Sequence, residues 1–173
     1  MNGIFITSEL DGLMAQRVRA LQERWDPKLA RELPPHVTLI GSSGAGPIAP
    51  DTPVDVLTGA IRPIAARTPP LELTFGPPAR FIGREIVVLP LDPHGPLRVL
   101  HEALKTSGLR CERARWPFTP HCTLNFYATL TPGSLGALMS YREPELWVMH
   151  TLRVYHTRDD AAPQLLFDAP LGG

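Results

Sequence analysis

Two copies of one pentapeptide frame constrain this chain more than any other feature. Residues 34–43 read PPHVTLIGSS and residues 119–126 read TPHCTLNF, so Pro-His-x-Thr-Leu occurs at Pro35–Leu39 and again at Pro120–Leu124. In a β-strand, side chains alternate between faces, so residues two apart point the same way. Each frame read as a strand sends an imidazole and a hydroxyl to one side, His36 with Thr38 and His121 with Thr123. Val37, Leu39, Cys122 and Leu124 then go to the other side, where an apolar core takes them. The proline ahead of each histidine suits a strand start. A fold for this chain must therefore supply two motif strands, each polar on one face.

The surrounding pattern supplies two similar rounds of helix, motif strand, helix. GIFITS (3–8) reads as a first strand. The stretch from Ser8 to Trp25 carries Leu10, Leu13, Met14, Val18, Leu21 and Trp25 near helical spacing, with Ser8 as N-cap and Asp26-Pro27 as the stop. After the first motif, 41–53 is a loop by composition, and 54–67 reads as a helix that Pro63 must kink or divide. LELTF (71–75), ARFI (79–82) and EIVVLPL (85–91) read as strands. Residues 95–108 form a helix with Leu97, Leu100 and Leu104 on one face and Gly108 as its stop. The second motif lies in a strand over 118–128. A short helix follows over 131–142, opened by Thr131-Pro132. Strands over 146–157 and 164–170 finish the chain. This order predicts an α+β fold, one domain over 1–173 built of two lobes related by an approximate two-fold axis.

Composition narrows the function classes. Formal net charge is zero, which argues against tight nonspecific binding along a nucleic acid backbone while leaving room for a pocket that takes one or two phosphates. No apolar run is long enough for a membrane span, and the N-terminus lacks a signal-peptide pattern, so a cytoplasmic protein with no membrane partner is expected. The two cysteines, Cys111 and Cys122, have neither zinc-ligand nor disulfide-framework spacing.

With six histidines and thirteen threonines, about half a His-x-Thr match arises by random placement. One match would mean nothing; two inside matching frames demand an explanation. The bland alternative is a pair of edge strands, each with an exposed His and Thr. The chemical reading is paired acid–base catalysis. Unperturbed imidazole titrates near ~6.5, so one ring is neutral and takes a proton while the other is protonated and gives one. The threonine hydroxyls are suited to the non-bridging oxygens of a phosphate held between the rings. The set contains no nucleophile, so water or a substrate hydroxyl must attack. Opening of a cyclic phosphodiester fits.

These paired frames resemble the His-x-Thr-hydrophobic motifs of the 2H phosphoesterase superfamily. The nearest branch in pattern is the RNA 2′,3′-cyclic phosphodiesterases, historically called 2′-5′ RNA ligases. The resemblance spans most of the chain, including RFIGREIVVLPL, LHEALK and WPFTPHCTL. It implies a bilobal fold with two antiparallel sheets lining a central cleft, helices outside, and one motif from each lobe. It also implies no metal and no cofactor. Carried over by motif, His36 is the acid that protonates the leaving 3′ oxygen and His121 the base that activates water, yielding a 2′-phosphate. The expected ligands are RNA ends or small cyclic or 2′-5′-linked nucleotides, bound by a monomer. The sequence departs from that branch at Gly41 and Phe126, where Phe and Arg are frequent.

Outside the motifs, Tyr127 lies on the His121 face if its strand stays regular. It is either a base-stacking group or packed under a loop. Arg110, Arg113 and Arg115 precede the second motif, either as a solvated charge cluster or as a basic rim that draws in phosphates; Arg115 is the substrate-binding candidate. His94, His101, His150 and His156 have no Thr two residues on and read as structural. Two other functions use the same cleft: ATP-independent RNA end joining, in which a 5′ hydroxyl replaces water, and nucleotide binding without turnover.

Overall fold

A computed structural model describes residues 2–127, 129–159 and 161–172. Ala128, the last residue of the strand expected over 118–128, lies outside them.

The chain opens with β1 (Gly3–Glu9), α1 (Gly12–Trp25), α2 (Pro27–Glu32) and β2 (His36–Ile40), followed by α3 (Val54–Arg67) and β3 (Leu71–Leu73). Next come β4 (Ala79–Arg80), β5 (Val87–Pro90), α4 (Gly95–Lys105), β6 (His121–Asn125) and α5 (Pro132–Ser140). The chain closes with β7 (Trp147–Met149), β8 (Thr151–Arg158) and β9 (Ala161–Pro170). The fold is α+β with two antiparallel sheets: seven strands in the order β4-β5-β6-β2-β1-β8-β9, and the pair β3-β7.

The two rounds seen in the sequence correspond in space. The run β1-α1-β2-α3-β3 repeats as β5-α4-β6-α5-β7, and the equivalent strands pair with each other, β2 with β6 and β3 with β7. The large sheet is therefore two half-sheets, β9-β8-β1-β2 and β6-β5-β4, joined at a β2–β6 seam where Val37 registers with Cys122. The helices cross over this seam: α1 packs on β6, and α4 packs on β2.

Burial follows the alternation. Val37, Leu39, Cys122 and Leu124 are all 0% exposed and belong to one apolar core that runs through both halves. Fully burying such side chains contributes about 1.5–3 kcal/mol each, enough to fix the register of both motif strands.

Several sequence expectations need correction. Ser8 is not a helix cap. It belongs to β1 and donates its hydroxyl to the Thr151 carbonyl at 2.8 Å, while α1 starts only at Gly12. Leu13 is exposed, and the buried face of α1 is Met14, Val18 and Gln22. Asp26 both ends α1 and caps α2, accepting from the Leu29 amide at 3.1 Å. Pro63 does not divide α3, which runs unbroken from Val54 to Arg67. The strand expected over 146–157 is broken at His150 and serves two sheets, as β7 and β8. The strand expected over 71–75 is regular only through Leu73.

Candidate active site

Both motif strands start at their histidine. The antiparallel register centred on Val37 and Cys122 sets His36 across from Thr123 and Thr38 across from His121. Directly opposed side chains have Cβ atoms about 4.5–5.5 Å apart and diagonal ones about 7–8 Å, so the four groups form a compact square with the histidines on one diagonal. All four are half-buried, with their strand neighbours in the core beneath them.

The rings are held alike. His36 Nδ1 lies 2.8 Å from the Pro34 carbonyl, and His121 Nδ1 lies 2.7 Å from the Thr119 carbonyl. A carbonyl only accepts, so Nδ1 carries hydrogen in both rings and Nε2 is left as the atom that gains or loses a proton. Burial pushes the pKa of both rings below the ordinary imidazole value. The carbonyl contacts oppose that in each. For His36 the Glu9 carboxylate opposes it too, whereas His121 is lowered further by His36. Among the described residues, neither the Thr38 nor the Thr123 hydroxyl has a protein partner, so both are available to a ligand.

The backs of the strands are fastened by buried polar groups that the hydrophobic pattern does not reveal. From α1, Gln22 donates Nε2 to the Thr123 carbonyl at 2.8 Å. From α4, His101 bonds the Leu39 carbonyl through Nδ1 at 2.8 Å and stacks on Phe118 with centroids 3.8 Å apart. His101 is thus structural, as expected. Asp26 is 0% exposed and accepts the amides of Phe126 at 2.7 Å and Tyr127 at 2.9 Å, which ends β6.

That ending removes Tyr127 from the regular strand. Its ring lies under the Lys28 ammonium, 3.8 Å from the centroid, and its hydroxyl donates to Glu32. Tyr127 therefore faces α2. Arg115 is exposed in the segment ahead of β6, beside a cavity of about 560 Å³ lined by Gly44, Arg98, Lys105, Arg113 and Phe118 among others, and not by the motif residues. Arg110 pairs with Asp51 at 2.7 Å, whereas Arg113 and Arg115 have no ion-pair partner among the described residues.

Two aromatic residues near the motifs escaped the sequence reading. Phe81, beyond β4, meets the His121 ring edge-on, with centroids 5.2 Å apart and planes at 89°. Phe5 on β1 fills the space beside Gly41: a Cβ there would lie 2.1 Å from the Phe5 ring, and φ at Gly41 is +129°. Only glycine fits so close to that ring in that conformation. Position 41 thus carries no side chain because β1 supplies the bulk.

The profile of the 2′-5′ RNA ligase superfamily matches residues 10–161, a span that holds both motifs. The chain belongs to this superfamily, the 2H phosphoesterases. Solved structures agree on the fold across the whole length. TT0787 of Thermus thermophilus superposes with a TM-score of 0.72 at 17% identity, covering 100% of this chain and 99% of its own. Escherichia coli LigT complexed with 3′-AMP gives 0.62 at 17% identity, covering 99% of each chain. The same protein complexed with ATP gives 0.64 at 18% identity, covering 99% of this chain and 98% of its own. No curated protein matches the sequence. Among the described residues, no helix is long and apolar enough to cross a membrane, and no three His, Cys, Asp or Glu residues cluster as a metal site.

Proposed function

We propose that the protein is a metal-independent phosphodiesterase that hydrolyses 2′,3′-cyclic phosphate ends of RNA, or related small cyclic or 2′-5′-linked nucleotides, to 2′-phosphates. One observation carries the reading. Two equivalent imidazoles, each fixed through Nδ1–H on a carbonyl, leave their Nε2 atoms on one sheet face beside two unpartnered threonine hydroxyls. The nucleotides bound by Escherichia coli LigT support a nucleotide as the ligand class.

In this step the cyclic phosphate lies between the rings. Thr38 and Thr123 donate to its non-bridging oxygens, where charge builds up as phosphorus becomes five-coordinate. Water attacks phosphorus while neutral His121 Nε2 takes its proton. The P–O3′ bond breaks, and protonated His36 donates its Nε2 proton to O3′. The product is a 2′-phosphomonoester with a free 3′ hydroxyl. His36 is left neutral and His121 protonated, and exchange with solvent restores the starting state. The diagonal placement of the histidines suits an in-line displacement, in which entering and leaving oxygens lie on opposite sides of phosphorus. A 5′ hydroxyl in place of water turns the same step into end joining.

Steady-state turnover of 2′,3′-cyclic nucleotides, with the product phosphate located by phosphorus NMR, tests the proposal. Multiple turnovers to the 2′-phosphate in the presence of EDTA are expected. Stoichiometric binding without turnover would leave a nucleotide-binding module instead.

A further inference from the structure

The two histidines share an anchor and a degree of burial, but their neighbours differ. In register, the residue opposite His36 on β1 is Glu9, and the residue opposite His121 on β5 is Pro90. These are equivalent positions of the two internal repeats, one a carboxylate and the other an apolar ring. The next positions extend the contrast. Beside Pro90, Val88 faces Thr123 and Ala79 faces Val88, and the aromatic ring at His121 is Phe81.

Around Glu9 the same sheet face is charged and ordered. Tyr155 donates its hydroxyl to Glu9 Oε1 at 2.6 Å, and Arg153 donates Nη1 to Glu9 Oε2 at 2.8 Å. Both donors stand on β8, and Arg153 also approaches Asp168 of β9, with Nε 3.6 Å from Oδ1. The Glu9 side chain is 15% exposed, against 43% for Asp168, so the carboxylate nearest His36 is also the better shielded from water. Two carboxylates against one guanidinium leave this cluster with a charge of −1 beside His36. The titratable and charged groups that face His36 from the packed strands are Glu9 on β1, Arg153 and Tyr155 on β8, Asp168 on β9 and His121 on β6.

We propose that Glu9, held by Arg153 and Tyr155, is the positioning residue that makes His36 the protonated ring of the pair and so sets the direction of proton flow. The inference rests on the proposed two-histidine reaction. A pair of identically anchored histidines has no preference for which ring holds the proton. A fixed carboxylate one strand away from only one of them creates that preference. Arg153 is the counterweight: it aims the Glu9 carboxylate through the 2.8 Å contact, and its own charge limits the field at His36.

The experiment is an NMR titration of the His36 and His121 rings in the substrate-free full-length protein, with kcat/KM profiles on a 2′,3′-cyclic nucleotide beside it. Glu9→Gln keeps the size of the side chain; its amide oxygen still accepts from Arg153, and its NH2 group donates to the Tyr155 hydroxyl oxygen. It is expected to lower the His36 midpoint by about 0.5–1 pH unit and to move His121 by less than half as much. Arg153→Met, which removes the opposing charge, is expected to raise the His36 midpoint. A merely structural role for these residues would not give shifts of opposite sign. Asp168→Asn, on the exposed edge strand, carries the test if Glu9→Gln does not fold; it should lower His36 by a smaller amount. In the kinetic profile, Glu9→Gln should bring the alkaline limb down by the same interval, while Glu9→Asp restores most of it. An unmoved His36 midpoint in folded Glu9→Gln, or equal shifts at both rings, overturns the proposal even if the enzyme turns over normally. Selective shifts of opposite sign uphold it even if the cyclic nucleotide proves not to be a substrate, an outcome that removes the proposed function alone.

Discussion

Val37 and Cys122 face each other across the seam of the seven-stranded sheet, and both are fully buried. This pair is the pivot of the internal two-fold. A shift of register by one residue at either strand would bury a histidine and a threonine and expose two core side chains, a change the core resists. The packing of two apolar residues thus fixes the spacing of the four polar ones on the opposite face. Burial raises the Cys122 thiol to about 12, so it serves as an apolar core group and not as a nucleophile.

The histidine pair should give a bell-shaped pH profile of kcat/KM. Burial lowers both rings, so the midpoint of the bell for the free enzyme should lie below the ordinary imidazole value of about 6.5. His36→Ala should abolish the alkaline limb and His121→Ala the acidic limb, each at a cost of about 10²–10⁴-fold. The double variant should lose less than the product, because the residues act as a unit. A folded double variant with near wild-type turnover would end the two-histidine reading. Limbs lost in the opposite order would exchange the two roles.

The threonine hydroxyls are the next target, since neither has a protein partner among the described residues. Thr38→Val and Thr123→Val keep the shape and remove the hydroxyl. A charge-assisted hydrogen bond contributes about 1.5–3 kcal/mol, so each change should lower kcat/KM by roughly ten- to hundred-fold with little effect on thermal stability. Unaltered kinetics in both variants would assign the hydroxyls to strand propensity instead.

How much of this was legible depended on periodicity. The motif strands, their polar and apolar faces and the two-fold relation followed from alternation in PHVTL and PHCTL, because a period of two has one structural meaning at that length. The flanking groups were not legible. Glu9 sits at the end of an apolar strand, and its importance comes from a pairing 27 residues away in sequence. Gln22 falls on a helix face that looks apolar by spacing, yet its amide reaches Thr123 on β6. Tyr127 was misleading for the opposite reason. Strand alternation carries it to the His121 face only if β6 continues, and a buried aspartate 101 residues earlier stops it. Local pattern encodes faces; which strand lies beside which is a property of the assembled sheet.

Arg113 and Arg115 test the basic rim. Both are exposed and unpaired among the described residues, unlike Arg110. Arg→Ala changes at 113 and 115 should raise KM for an oligonucleotide ending in a cyclic phosphate and flatten its dependence on salt, with kcat little changed. A mononucleotide substrate, too short to reach the rim, should respond less. Identical KM values for the oligonucleotide in wild type and variants would return these arginines to the solvated surface.

Four histidines, His36, His101, His121 and His156, have folded-state pKa values depressed first of all by burial, and this gives stability a pH dependence of known sign. The unfolded chain holds each at about 6.5. Between that value and the lower folded one, the unfolded state binds more protons, so stability rises with pH. The contribution is complete above about pH 6.5 and is lost as the pH falls toward the folded values. Denaturant unfolding at several pH values from about 7.5 down to about 5 should show this decline. His101→Phe isolates one ring, because His101 is fully buried, stacked on Phe118 and away from the motif face. The variant leaves the Leu39 carbonyl without its 2.8 Å partner, so it should be less stable at about pH 7.5 by about 1–3 kcal/mol. Its stability should also fall less steeply on acidification, by at most one proton's worth of slope, about 1.4 kcal/mol per pH unit. Parallel curves for wild type and variant would mean that His101 takes up its proton equally in both states, against its burial in the fold.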